Sequence, residues 1–540
     1  MGVLLPVRRC KIFDEFSPSA QQEFFAVTEK KYLPYIDSFY YSVFLSQDLS
    51  DSEDEDFDVL AMLEVLRKAR INAQNNPDEV NCYGFVVSFA RYNLYDFCVS
   101  DPENFDVFFA NNVPDRRKTP RIVIQLRSRY LWQEGIKGAL IGSFRRLVDF
   151  ISRFGLTVSE LRENRIDYCW HTNSFNNLDF FTDSVLKKCV KTTFSLGQKV
   201  FNIVNGGIVT SYASFGRRSS NNIFFRCYNK TREVVEMQYK SFFIDIWHRE
   251  GLISNYDRYV LEHAFSSGSF RSGVLIGRIQ WYLEYGKDET LKRELKILLY
   301  KCYGKSDNSR YIEKQIHGVL PDLTTVVNFE FQTKRRFYYS CRKTIDSLEH
   351  VPVSSWSKEE NKLMVQLNKI VNYRYIFTEY LTRYGCCLSF AESNAIKASD
   401  FDDSMYLSFW RRLRGTKMQD TVRTDVRLSR NFERRINIDK AKNALAGKIA
   451  AASVLLNGLN DAGYSEDASD ALAMLNDNDI HELHTGKLIV RDTGEVLDLS
   501  LRDLKIDSDY NGYKLIKARR NRQYKPLFDD SEDINTDEVE

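Results

Sequence analysis

Gly216-Arg217-Arg218-Ser219-Ser220-Asn221-Asn222-Ile223-Phe224-Phe225-Arg226-Cys227-Tyr228-Asn229-Lys230 sets a tyrosine between an arginine and a lysine, just after a polar, basic turn. Residues two apart on a strand share a face, so Arg226, Tyr228 and Lys230 are expected to point the same way. A free phenol titrates near pH ~10 and is a poor nucleophile at neutral pH. Two cations beside it would favour the phenolate and attract phosphate, an arrangement suited to attack on a phosphodiester. The plainer alternative is that Tyr228, one of 30 tyrosines, simply packs.

Two further β-like segments place polar residues where a strand would carry apolar ones. In Asn164-Arg165-Ile166-Asp167-Tyr168-Cys169-Trp170-His171, the residues Arg165, Asp167, Cys169 and His171 share one face. Asp167 and His171 could offer two ligands to a divalent ion, or could be hydrogen-bonded inside a sheet. In Arg258-Tyr259-Val260-Leu261-Glu262-His263, a strand would put Glu262 on the face of Arg258, as a third ligand or as half of a surface salt bridge. A buried carboxylate is costly unless paired or metal-bound. Hard oxygen ligands with one imidazole suit Mg²⁺ or Mn²⁺, and such an ion would stabilise charge on a scissile phosphate. The guanidiniums of Arg217, Arg218 and Arg226 are candidates for clamping flanking phosphates, and Arg165 and Arg258 are further DNA-binding candidates.

The 540 residues leave room for several domains. A 43% hydrophobic fraction with 37 Phe argues for substantial cores. Net charge is only +2, so the basicity is local, in blocks such as Arg116-Arg117-Lys118, Lys334-Arg335-Arg336, Arg434-Arg435 and Arg519-Arg520. Acidic runs at 51–56 and 529–540 read as solvated loop and tail. Ten scattered cysteines without a CxxC pair or a secretory leader suggest reduced thiols and a cytoplasmic protein. The longest apolar-looking segment, Gly138 to Leu156, is interrupted by Arg145, Arg146, Asp149 and Arg153, which argues against a membrane span.

Patterning divides the chain into an N-terminal segment with an acidic loop (1–80), a mixed α and β region (81–330), a helical region (331–465), a small appendix with a hairpin (466–526) and the acidic tail (527–540). Strands are expected at Tyr83–Phe89, Phe105–Phe109, Arg121–Leu126, Asn164–His171, Gly207–Ala213, Asn222–Tyr228 and Arg258–Phe265. Helices are expected around Leu140–Phe154, Glu236–Arg249, Leu291–Tyr300, Glu359–Tyr384, Ser404–Arg414 and Lys440–Leu459, and a hairpin over Lys487–Leu497.

Three of these motifs, in order, resemble rolling-circle replication initiators of the replication initiation factor (Rep-trans) family, whose fold relatives include relaxases of conjugative transposons. They are Asn164-Arg165-Ile166-Asp167, the Gly216–Lys230 segment with its R-x-Y-N-K ending, and Arg258–Glu262. The resemblance covers roughly residues 30–330. It implies Tyr228 as nucleophile, with Arg226 and Lys230 as its catalytic neighbours, and Asp167 and Glu262 as acids. His171 would complete the set where some relatives carry a second acid, and Gln125 stands where some have a carboxylate. The implied fold is α+β, a mostly antiparallel central sheet with flanking helices, nickase-like, followed by a mainly helical C-terminal region. The implied activity is metal-dependent, origin-specific nicking of one DNA strand, giving a 5′-phosphotyrosine link and a free 3′-hydroxyl primer. Expected partners are origin DNA as duplex, cruciform and single strand, a second copy of the chain, and host helicase and polymerase. A conjugative relaxase with the same chemistry, or a non-catalytic DNA-binding regulator of the same fold, would carry the same motifs. A tyrosine recombinase is excluded, because its tyrosine falls late in a helical domain.

Overall fold

The computed structural model describes residues 15–430, with breaks at 27–28, 50–52, 77–80, 91, 93, 114–118, 176–182, 192–196, 205–206, 219–220, 238–239, 304–307, 393–396 and 398, and two short strands at 487–489 and 496–498. The basic blocks at 116–118, 434–435 and 519–520, the helix expected at 440–459 and the acidic tail lie outside the described residues.

One antiparallel sheet organises the described residues up to 430. Its strands, in chain order, are β1 (Tyr32–Leu45), β2 (Asn81–Cys82), β3 (Phe85–Ser88), β4 (Phe97–Asp101), β5 (Phe105–Phe109), β6 (Ile122–Leu126), β7 (Val158–Thr172), β9 (Gly197–Val204), β10 (Gly207–Phe215), β11 (Ile223–Asn229) and β12 (Val327–Lys334), while β8 (Cys189–Lys191) pairs apart with β13 (Leu388–Phe390). The spatial order is β2-β3-β4-β5-β6-β1-β7-β12-β11-β10-β9. The expected α+β fold with its antiparallel sheet and helical continuation is therefore present. Divisions at 80 and 330 do not separate packing units. β1, from the first segment, lies between β6 and β7, and β12 straddles the second boundary.

Alternation builds the apolar face. Ile166, Tyr168 and Trp170 of β7 stand beside Thr333, Phe331 and Phe329 of β12, and Phe225 of β11 faces Phe331 across the next pair. Phe225 packs against the rings of Phe215, Phe329, Phe331 and Trp410. Trp410 comes from the helix Ser408–Arg414, so the C-terminal helices close this face of the sheet. Toward β2, the long helices Glu53–Asn75 and Ser128–Ile151 contribute Met62, Leu63, Leu140 and Leu147 to the same core.

Between the neighbouring strands β11 and β12 the chain makes a helical excursion, including Lys230–Glu236, Phe242–Arg249, Asn255–Ser267, Phe270–Tyr285, Glu289–Cys302 and Ser309–Ile316. Its outer helices build a second core around Trp281, Tyr282, Val260 and Leu295. The strand expected at Arg258–Phe265 lies inside the helix Asn255–Ser267. Its ends explain the difference. Ser254 and Asp257 form a reciprocal capping box, and Gly268, at φ 65°, takes the left-handed position that ends the helix. Tyr256, Val260, Leu261 and Ala264 then fall on one buried helical face.

The span expected as one helix at Glu359–Tyr384 is three, Lys358–Leu363, Val365–Asn372 and Arg374–Thr382. Residues 432–540 form a separate unit, whose described part is an antiparallel pair, β14 (Lys487–Ile489) with β15 (Val496–Asp498), where a hairpin is expected. No disulfide joins the described cysteines. Among the described residues no helix is long and apolar enough to cross a membrane.

Removing the ring at the centre of the apolar face tests this architecture. Phe225→Ala is expected to lower unfolding stability by about 3–5 kcal/mol, measured as a drop in urea midpoint at constant slope. A loss under 1 kcal/mol would mean that the sheet and the C-terminal helices do not share a core.

Candidate active site on the polar face of the sheet

The opposite face of β7, β12 and β11 is polar. Register places Asn328 opposite both Tyr228 and His171, Glu330 opposite Arg226 and Cys169, and Gln332 opposite Asp167. Val327–Lys334 alternates apolar with polar residues, a half-buried strand pattern that would have pointed to Asn328 and Glu330. Neither residue is among the sequence candidates.

Tyr228 is partly exposed and its hydroxyl is the meeting point of this face. It accepts from Asn328 Nδ2 at 3.0 Å and from Lys230 Nζ at 3.3 Å, and donates to Glu330 Oε2 at 3.3 Å. Glu330, with none of its side chain exposed, holds Arg226 Nε at 2.9 Å. The guanidinium of Arg226 also lies over the Tyr228 ring, 5.1 Å from its centroid. Arg226 and Lys230 thus flank Tyr228 as expected. Lys230, however, opens the helix Lys230–Glu236, and its side chain returns to the hydroxyl from there.

The electrostatic outcome differs from expectation. The phenol of Tyr228 is held well above its ordinary range, first by burial and then by the Glu233 carboxylate, against the pull of Lys230 and Arg226. Both cations are neutralised locally, Arg226 by Glu330 and Lys230 by Asp37 and Glu233. The ground state is a phenol. Burial also pushes the Glu330 carboxyl up, with Arg226 opposing. The Tyr228–Glu330 contact therefore pairs a proton donor with an acceptor of raised basicity.

Lys230 is fully buried, its ammonium 3.3 Å from Asp37 Oδ2 and 2.8 Å from Glu233 Oε2. Asp37 stands where the β1–β7 register shifts between Ile36 and Ser38, so a bulge aims it onto the polar face. Glu233 also accepts from Lys240.

Two predicted metal ligands are engaged by arginines. Glu262 is half exposed on its helix and pairs with Arg258 one turn away at 2.7 Å, while Arg258 also reaches Asp245 at 2.8 Å. Neither belongs to the sheet face. Asp167 is buried on it, but Arg165 takes both its oxygens, at 2.9 and 2.6 Å. Arg165, 5.0 Å from the Tyr40 ring, is committed to that pair rather than offered to DNA. Arg217 is exposed and Arg218 half buried in the turn after β10.

His171 remains a candidate ligand, with different neighbours. Asp37, Cys169 and His171 offer ligand atoms within 4.8 Å of one another, a group that could hold a metal ion. His171 Nδ1 accepts from Trp247 Nε1 at 3.0 Å, which fixes the ring. Its Nε2 and Asp37 Oδ1 are buried without hydrogen-bond partners. Burial holds the imidazole pKa down to about 3, leaving it neutral as ligation requires. The Cys169 thiol is raised well above its ordinary value by burial and by Asp37, so carboxylate and imidazole are the better donors. A group of three possible ligands in which two residues each carry an orphaned buried atom fits a bound divalent ion.

The chain is similar to a solved structure described as "Structure of Rolling Circle Replication Initiator Protein from Geobacillus stearothermophilus", at 13% identity and a TM-score of 0.30, covering 71% of this chain and 96% of that one. No family model matches the sequence. No curated protein matches either.

Mn²⁺ titrated into the protein is expected to bind roughly tenfold or more weakly after His171→Ala or Asp37→Asn, the range seen when a metal site loses a supporting group, and equally well after Glu262→Ala. Calorimetry or paramagnetic resonance reads the difference. Weakening by Glu262→Ala alone would restore the sequence-based ligand set.

Proposed function

We propose that this chain is a rolling-circle DNA replication initiator, a metal-dependent strand transferase that nicks one strand at an origin through Tyr228 in the cytoplasm. The observation that carries this reading is the Tyr228 hydroxyl, partly open to solvent and held at once by Asn328, Lys230 and Glu330. The R-x-Y-N-K resemblance supports it independently.

In this mechanism the Tyr228 oxygen attacks phosphorus while its proton passes to Glu330, the acceptor already in contact. The bond from phosphorus to the 3′ oxygen breaks, leaving a 5′-phosphotyrosine and, after protonation, a 3′-hydroxyl. Lys230 and Asn328 both donate to the phenolic oxygen, easing its passage through phenolate character. Arg226, paired to Glu330 and lying over the ring, keeps the acceptor and the nucleophile in register. Asp37 and His171, with Cys169 beside them, would hold the ion, and the imidazole favours Mn²⁺ over Mg²⁺. When bound, the ion supplies Lewis-acid stabilisation of phosphate charge. Arg217 and Arg218, in the turn leading to β11, are placed to meet the DNA backbone. The family resemblance further implies a homodimer working with host helicase and polymerase.

Single-stranded oligonucleotides tiling the DNA around the protein's own coding sequence, incubated with Mn²⁺, should yield a denaturation-resistant adduct at one phosphate. Tyr228→Phe is expected to reduce that adduct below detection. Glu330→Gln should slow its formation by about 10²–10⁴-fold, the usual worth of a positioned base. A normal adduct from Tyr228→Phe overturns the nucleophile, and specific binding with no adduct from the unaltered protein would leave a non-catalytic DNA-binding regulator.

A further inference from the structure

A second tyrosine stands beside the nucleophile. Tyr212 of β10 is directly opposite Tyr228 of β11, and Ser214 is directly opposite Arg226. Residues directly opposite across an antiparallel pair share a face, with Cβ atoms about 4.5–5.5 Å apart. Tyr212 is therefore on the polar face with Tyr228, and like Tyr228 it is partly exposed. Ala213, Phe215, Phe225 and Cys227, on the other face of these strands, are buried, and Tyr212 alternates with them.

The surroundings of Tyr212 are also shared. Burial raises its pKa, while a hydrogen bond from Ser214 and the charges of Arg226 and Arg218 lower it, and Glu330 raises it. Arg226 and Glu330 are the pair that serves Tyr228. One cation and one carboxylate thus act on two phenols on adjacent strands.

We propose, resting on the reading of Tyr228 as first nucleophile, that Tyr212 is a second nucleophile of the same active site, so that one chain performs two successive strand transfers. While the first 5′ phosphate is held on Tyr228, the Tyr212 oxygen attacks the phosphorus of a second copy of the cleavage sequence. Its proton leaves to the Glu330 carboxylate, which has by then released the proton it took from Tyr228 to the first departing 3′ oxygen. The second phosphorus–3′ oxygen bond breaks and a Tyr212 phosphodiester forms. The new 3′-hydroxyl then attacks the Tyr228 phosphodiester, rejoining DNA and returning the proton to the Tyr228 oxygen. Each bond broken is matched by one formed, and no co-reactant is consumed. The ring of an adjacent strand is well placed for this exchange, because both phosphates must come within reach of the same arginine.

The test is a pulse and chase with two oligonucleotides of different mass, each carrying the mapped cleavage site. The full-length protein is loaded with the first in the presence of Mn²⁺, freed of excess, and given the second. Tryptic mapping separates the two tyrosines because Arg217 and Arg218 lie between them. The first oligonucleotide is expected on the Tyr228 peptide and the second on the Tyr212 peptide, with joined DNA released in step. Tyr212→Phe should cut the ratio of joined product to initial adduct at least tenfold, and Tyr212→Ser should not restore it. Circular dichroism of each variant establishes that the fold is intact. Recovery of the second oligonucleotide only on Tyr228 peptides, or undiminished joining by Tyr212→Phe, overturns the second nucleophile and leaves the first intact. Absence of the first oligonucleotide from Tyr228 overturns both readings.

Discussion

A lysine ammonium with none of its side chain exposed must be neutralised where it sits, and Lys230 sets that demand on everything around it. An unpaired buried charge costs several kcal/mol even after relaxation. Lys230 meets the cost with Asp37 from the bulge of β1 and Glu233 from one turn further along its own helix. It also donates to the Tyr228 hydroxyl and lies over the Phe243 ring. A strand from the beginning of the chain, the end of β11 and the first helix of the excursion are thereby tied at one point. Displacing any one of them leaves a buried charge unanswered.

The two faces of the sheet divide the labour. Phe225, Phe329, Phe331 and Trp410 supply packing on one side, while Arg226, Tyr228, Asn328 and Glu330 occupy the other. Because successive side chains emerge on opposite faces of β11 and β12, the depth of the apolar face fixes where the polar side chains stand. A one-residue slip of either strand would exchange the faces. The helix Phe242–Arg249 completes the polar side by bringing Phe243 and Trp247 against His171. That cover holds the imidazole neutral and fixes its ring through Nδ1, beside Asp37 and Cys169. The core and the candidate site are thus two consequences of one register.

Much of this was readable along the chain. β7 and β11 announce themselves by period, and the polar residues that interrupt them are those that face the site. Asn328 and Glu330 sit in an alternating octapeptide that carries the same signal, hidden by its distance from β11. Helical order at 255–267 was also written in the sequence, in the Ser254–Asp257 capping box and Gly268, signals that outweigh the strand-like look of Arg258–Phe265. Asp37 is a different case. It owes its direction to a bulge, which breaks the alternation by which a strand face is read.

Sequence alone determined that a tyrosine would stand between two cations on a strand, and that β7 would offer an acid and an imidazole on one face. Only tertiary structure decided which charges meet. Arg165 satisfied Asp167 locally, Glu262 went to a surface pair, and Asp37 and Glu330 entered from strands far away in the chain. Local spacing fixes the face on which a side chain emerges, but whether a charge stays available depends on which opposite charge is folded within reach. It is burial that makes that pairing obligatory.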